Sequence, residues 1–277
     1  MSTMGDARAP LVRTLFVRGG FAPQEAGIVG DELRLTAAEG YRYVSLKVLA
    51  ALRFLFQRDP SQPSAMLRPP FVAKVDDDAW VCVPSLLDAI ASLATHEHAK
   101  PHVPPYYLGT FTFGRPVATR HGARWEDAPH WRVFHLSHYP DYAQGALYAL
   151  SSAAVDAALA AASSYGLFNR SAHPSDLLTP VNEDALLGTL LHVSLGQQLR
   201  YRRLPVRVYP KLTAKQGASA RSLRTETEKA CSDATGEHYV AVHKLPPADV
   251  IRCGQYSDAG PRAAKLPRRG PPRRCGD

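Results

Sequence analysis

Residues 71–83 read FVAKVDDDAWVCV: an apolar, β-branched run, then three adjacent carboxylates (Asp76, Asp77 and Asp78), then a second apolar run. Phe71 to Val75 predicts a strand ending in the triplet. Open α/β sheets bind ligands in the crevice beyond the carboxyl ends of their strands, so acids at that place point to function. Three neighbouring carboxylates repel one another, and a partly buried site needs a cation to hold them ionised. A hard divalent ion such as Mn²⁺ or Mg²⁺ supplies that charge through oxygen ligands while bridging a phosphate-bearing substrate. The competing reading is a solvated acidic turn; the apolar flanks weigh against it, because an idle charge cluster is hard to accommodate at the end of a core element.

The neighbouring segments set a rhythm of strands and helices. LVRTLFVRGG (11–20) predicts a strand running into a loop, and YVSLKVLAALRFLFQ (43–57) places Val44, Val48, Leu52 and Leu55 or Phe56 on one helical face. VPSLLDAIASLATHE (83–97) predicts a helix capped near Ser85, and PYYLGTFTFGRPVA (105–118) one or two strands. LYALSSAAVDAALAAASSYG (147–166) opens as a short strand and continues as a helix capped by Ser151 or Ser152 and stopped at Gly166. NEDALLGTLLHVSLG (182–196) predicts a helix with Asn182 as cap and its acidic pair at the positive end of the dipole. HYVAVHKLPP (238–247) reads as a late strand. Such alternation predicts an α/β sandwich with a mainly parallel central sheet.

A chain of 277 residues suits one domain with tails: residues 1–10 as an N-terminal tail, 11–253 as the folded unit, and 254–277 as a basic Pro/Gly/Arg-rich tail too poor in apolar residues to order. The formal net charge of +8 is unevenly spread. Residues 199–229 carry nine Lys/Arg against two Glu and residues 261–277 six against one Asp, which leaves the rest of the chain at −4. A mildly acidic body with two basic segments argues against a nucleic-acid-binding fold. Cys82, Cys231, Cys253 and Cys275 lack zinc-site spacing. The histidines of 96–102 and 135–138 read as loops, and no stretch approaches a membrane span or a signal sequence.

Six blocks in order resemble the β-1,3-galactosyltransferase family, glycosyltransferase family 31. FVAKVDDDAWVCVPSLLDAI is similar to its K-x-D-D-D block, DELRLTAAEGYRYVSLKVLAAL to its acidic-to-Lys helix segment, and YYLGTFTFGRPV to its aromatic-aromatic-Gly strand. WRVFHLSHYPDYAQGALYALSSAAVDAAL resembles Y-P-x-Y-x-x-G-x-x-Y-x-x-S, NEDALLGTLLHVSLG resembles E-D-V-x-x-G, and ACSDATGEHYVAVHKLPPADV its late Cys and V-x-H-K segment. Within the family the details look closest to the branch that galactosylates the proteoglycan linkage region.

The resemblance implies a GT-A, Rossmann-like fold and inverting, metal-dependent transfer of galactose from UDP-galactose to a glycan or glycoprotein in β-1,3 linkage, with UDP-GlcNAc as the close alternative donor. It implies Asp76, Asp78 and His243 as ligands of Mn²⁺ or Mg²⁺, with Lys47, Lys74, Asp76 and Asp77 toward the nucleotide; the Lys47 side chain reads equally well as reaching for solvent. It implies Asp184 or Glu183 as the general base, with Asp184 favoured, whereas the residues alone read as dipole complements. Tyr107, Tyr139, Tyr142 and Gly145 become candidates for stacking on and approaching a sugar, although such tyrosines also read as half-buried strand residues. A pairing of Cys231 with Cys253 would fit a secretory lumen. Family members begin with a membrane anchor, a stem and an R-x-x-x-R-x-T-W block, and act in the Golgi lumen. The chain opens at what looks like the second strand, so the sheet is expected to lack its first. A truncated, non-catalytic binding module is therefore an alternative, and a phosphoryl-transfer enzyme built on the triplet is a third.

Overall fold

The computed structural model describes residues 12–56, 68–95, 103–121, 126–169, 180–208 and 240–243. The expected tails, the histidines of 96–102 and the cysteines after Cys82 lie outside them.

Strand β4 (Phe71–Val75) forms the edge of a four-stranded sheet of order β4-β7-β6-β8, with β6 at Tyr106–Thr112, β7 at Tyr142–Ser151 and β8 at Arg200–Arg203. β7 pairs antiparallel with both β4 and β6, and β6 pairs parallel with β8. β4, β6 and β8 thus run one way, with β7 inserted against them. This corrects the expectation of a mainly parallel sheet: two of these three ladders are antiparallel. The reason lies in the connections. β4 reaches the co-directional β6 through helix α2 (Val83–Thr95), whereas the chain returns from β6 to β7 past α3 (Ala128–Phe134) and drops into the gap between them. Being an edge strand, β4 is also less buried than its composition suggests, with Ala73 and Val75 exposed.

Alternation along the central strands supplies both faces with apolar side chains. On one face Tyr107, Tyr148 and Leu150 meet α1 (Val44–Phe56), α4 (Ser152–Ser164) and α5 (Glu183–Leu195) through Leu52, Val155, Leu186 and Leu190. On the other, Leu108, Leu147 and Ala149 meet Leu86 and Leu93 of α2 together with Leu204, Val240 and Ala241. Ala241, which Val240 precedes, opens β10 of a second sheet, β5-β10-β9 (Ala79–Val81, Ala241–His243, Val206–Val208). A third small sheet, β1-β3-β2 (Phe16–Arg18, Glu32–Arg34, Gly27–Val29), packs its Leu33 with Ala51 of α1.

Ser151 caps α4 by accepting the Ala154 N–H, and Gly166 follows with a positive φ of 67°, as expected. Helix α1 buries Ser45, Leu49, Leu52 and Phe56, a stripe offset by one residue from the predicted face at its start. Helix α2 begins at Val83, with Pro84 in its first turn where the missing N–H costs nothing, rather than at Ser85. Among the described residues, no helix is long and apolar enough to cross a membrane.

Candidate active site

The triplet occupies the crossing from the large sheet to the second one. Asp76 N–H donates to Ala146 O (3.2 Å), prolonging the β4–β7 ladder by one rung, and Ala79 N–H donates to Asp76 O (3.1 Å), closing a turn with Asp77 and Asp78 at its corners. Asp76 and Asp78 are half-buried and Asp77 is exposed. The turn lies at the C-terminal ends of β4 and β6, the end at which open sheets take ligands.

Two further elements deliver side chains to this place. Helix α5 passes so close to β7 that a Cβ on Gly188 would stand 2.5 Å from the Tyr142 Cβ and 2.9 Å from Asp141 O. Glycine there lets the first turn of α5 settle over Gly145. Lys74, projecting from β4, then meets three groups: it donates to the Asp76 carboxylate and to Gly145 O (2.7 Å), and its Nζ lies 3.4 Å from Glu183 Oε2. Tyr148 O–H donates to the other Glu183 oxygen. Asp184 accepts the Gly145 N–H (3.3 Å) on one oxygen and the Ala185 N–H (2.8 Å) on the other.

Burial works against the charge on Lys74, but the two carboxylates beside it more than offset this, and its pKa is raised. Glu183 is raised because desolvation exceeds what Lys74 and Tyr148 return, and Asp184 and Asp76 add repulsion. Asp184 is also raised, mainly by desolvation, with the Ala185 and Gly145 amides and Lys74 opposing. The adjacent acids therefore differ in exposure. The Glu183 side chain is only 8% exposed and engaged by its partners on both oxygens, whereas Asp184 is half-buried and more basic than a free aspartate.

The other sequence-predicted residues separate into groups. Lys47 lies 3.0 Å from Glu39, whose carboxylate also accepts the Gly19 N–H at 2.6 Å. Tyr107 is fully buried, with its hydroxyl accepting the Ala143 N–H (2.9 Å) and its ring edge-on to Tyr148. Tyr139 and Tyr142 are buried beside Val117 and Ala185. As placed, these three rings are buried in the core. Gly145 faces the cluster, where a Cβ would meet Lys74 Nζ at 3.4 Å and Glu183 Oε2 at 3.7 Å, so the close approach it permits is to α5. The backbone of His243 pairs with Ala79, one residue beyond Asp78.

Oxygen donors on a solvent-reachable turn suit a hard divalent cation, so the chemistry of Asp76 and Asp78 fits Mn²⁺ or Mg²⁺. Among the described residues, no three His, Cys, Asp or Glu side chains converge on one point. Cys82, next to β5, is disulfide-bonded. A cleft of about 560 Å³ opens at the opposite end of the strands, lined by Leu93, Tyr106, Leu199, Arg200, Tyr201 and Arg202 among others, away from the carboxylates.

Two contributors hold positions that the sequence does not disclose. Tyr148 belongs to the same aromatic block as Tyr139 and Tyr142, but the Lys74↔Tyr148 register that aims it at Glu183 is a tertiary fact. Asp127 carries the signal of an acid just before a helix with Pro at its second position. It makes no side-chain cap to its own helix, because its carboxylate is turned to the entry of α5.

The structure is a mixed α/β sandwich with carboxylates from two elements at its strand ends. Residues 21–171 match the model of the galactosyltransferase family, more than half of the chain, and the chain belongs to that family. The match covers β4, the triplet and β7; α5 lies beyond it. The chain is also 31% identical, over 189 residues, to beta-1,3-galactosyltransferase 4 of Rattus norvegicus. That alignment takes in 57% of this chain and 48% of the relative, so the chain spans about half the length of the curated relative it matches.

Proposed function

We propose that the chain is a UDP-sugar-dependent hexosyltransferase that moves galactose to a glycan or glycoprotein hydroxyl with inversion, forming a β-1,3 linkage. The observation that carries this reading is the position of Asp184, half-buried and raised in pKa, against Gly145 and beside the Lys74–Asp76 pair. A base so placed takes the acceptor hydroxyl's proton as that oxygen attacks the sugar from the face opposite the departing diphosphate. Glu183, shielded and hydrogen-bonded, anchors the helix start, and Lys74 steadies both carboxylate groups.

Asp76 and Asp78 would hold Mn²⁺ or Mg²⁺, with His243 as a further candidate and Asp77 toward the nucleotide. When bound, such an ion neutralises charge developing on the leaving UDP. Family membership and the relative's name support galactose over N-acetylglucosamine as the sugar moved. The Golgi lumen is the proposed site of action, reached as a membrane-anchored protein; the disulfide at Cys82 supports an oxidising compartment.

The test is release of UDP by purified protein supplied with Mn²⁺, an acceptor bearing terminal galactose, and either UDP-galactose or UDP-GlcNAc. Asp184→Asn should lower turnover by roughly 10²- to 10⁴-fold while leaving donor binding in place. A folded sample that binds neither UDP-sugar would overturn the proposal and leave the binding-module reading.

A further inference from the structure

The two residues that lead into α5 are held from both sides. Asp127, at 0% exposure, stands at the head of α3 and accepts the Val181 N–H on one oxygen (2.9 Å). On the other it accepts the Asn182 N–H (3.3 Å) and the Tyr139 O–H (3.2 Å). Asn182 returns a bond from its side-chain amide to the Tyr139 hydroxyl (3.0 Å). The opposite side of the same peptide run is fixed from α1, where Ser45 O–H donates to Val181 O (3.0 Å). His130, buried between Asp127 and α5, meets Thr189 Oγ1 through Nε2 (3.2 Å). The Thr189 hydroxyl already donates to Ala185 O, so the imidazole carries its proton on Nε2. Among the described residues its Nδ1 has no hydrogen-bond partner, and it lies 4.0 Å from an Asp127 oxygen. The imidazole therefore adds no donor to the carboxylate, whose side-chain bonds reach residues 181–182 and the tyrosine attached to them.

Among the described residues no Lys or Arg pairs with Asp127, and a carboxylate buried in that way is costly, so its placement needs a reason. We propose that Asp127 and Ser45 are positioning residues: together they clamp Val181–Asn182 and thereby hold Asp184 against the Gly145 amide in the geometry transfer requires. The clamp comes from two helices that otherwise contribute nothing to the carboxylate cluster, and it acts two residues before the base. This inference rests on the proposed transferase reading for its catalytic consequence, and on geometry alone for its structural one.

The experiment uses the full chain as Asp127→Asn and Ser45→Ala, with Ser151→Ala as a control that weakens a buried cap far from the clamp. Turnover with UDP-galactose and Mn²⁺ and amide hydrogen exchange are followed together. The clamp predicts a fall in kcat of roughly ten- to hundredfold for Asp127→Asn, because small misplacements of a reacting group cost about that much, with donor KM within about twofold. Ser45→Ala should show a smaller fall in the same direction, and Ser151→Ala unchanged kcat below its melting temperature. Exchange should quicken selectively at Gly145, Val181 and Asn182 in the clamp variants, while Leu108 and Leu150 keep their protection. Wild-type kcat in Asp127→Asn, or exchange that rises evenly through the core, would overturn the proposal. If the wild-type protein is inactive, the transferase reading fails, and selective exchange at Gly145 still decides whether the clamp exists.

Discussion

Replacing Lys74 by Met removes the cation from the most enclosed part of the carboxylate cluster. The Glu183 side chain is 8% exposed and that of Lys74 19%, so their pairing is shielded from water and salt on both sides. Deleting one member of a buried pair leaves the other uncompensated and costs about 3–5 kcal/mol. The exposed side of Asp76 and the donor that Glu183 keeps in Tyr148 place the expected loss near the lower end, about 3 kcal/mol at neutral pH. For a protein of this size that corresponds to a melting temperature lower by about 6–12 °C. The loss should also depend on pH. Glu183 already titrates above the ordinary 4.5 when folded, so it binds its proton more tightly in the folded chain, and stability declines as pH rises from 4.5 through the folded value. Without Lys74 the folded value moves higher still, and the decline extends further. The difference between the two proteins should thus be full at pH 7.5 and shrink towards pH 4. Urea unfolding followed by circular dichroism across this range measures it. Adding Glu183→Gln to Lys74→Met should recover stability at pH 7.5, because the orphaned charge is gone. A loss below 1 kcal/mol, or one that stays constant from pH 4 to 7.5, would refute the assignment of Lys74 as the neutralising partner.

Other perturbations report on the same framework. Tyr148→Phe leaves one Glu183 oxygen without its donor and should cost about 1–3 kcal/mol in urea unfolding, with Glu183 titrating higher still by carbon-detected NMR. Gly188→Ala brings a methyl carbon to 2.5 Å from the Tyr142 Cβ, so α5 must lift from β7; a loss of about 1–3 kcal/mol is expected, together with faster amide exchange at Gly145. Leu190→Ala, in the fully buried stripe of α5, should cost about 2–5 kcal/mol without changing the pH dependence of stability, which separates packing from electrostatics.

What the chain discloses about itself divides along physical lines. β4, α4 and α5 were legible because their signals are local: an apolar run stopped by acids, a serine cap, an Asn followed by two acids. β8 was not. RYRR has no alternation and four exposed side chains, and becomes a strand because its backbone pairs with Tyr106–Gly109. The short α3 and the β2–β3 hairpin only partly overlap the blocks of family likeness, and their short runs carry little periodicity of their own. Strand direction in the large sheet escaped prediction, since an alternating rhythm of elements does not reveal that β7 enters between β4 and β6. At the site, Lys74, Asp76, Glu183 and Asp184, which the sequence singles out on separate segments, come together in the fold. Which of Glu183 and Asp184 is reachable follows from a turn of about 100° between consecutive helical residues, meaningful only once the buried face of α5 is known. The tyrosines of YPDYAQGALY likewise read as surface or core until the strand's facing is fixed.

The groups that meet at the carboxylate cluster come from residues 74–78, 145–148 and 183–184, so its ends are more than a hundred residues apart in the chain. No local segment can preform it. Closing a loop of that length precedes any reward from the contacts it brings, which makes the cluster a product of late assembly rather than of early local structure. During synthesis the triplet emerges long before its partners, and for that interval three aspartates and a lysine face water with no helix above them. The cluster is therefore an internal gauge of completion: chains that have joined β4, β7 and α5 possess it whole, and chains that have not possess none of its chemistry.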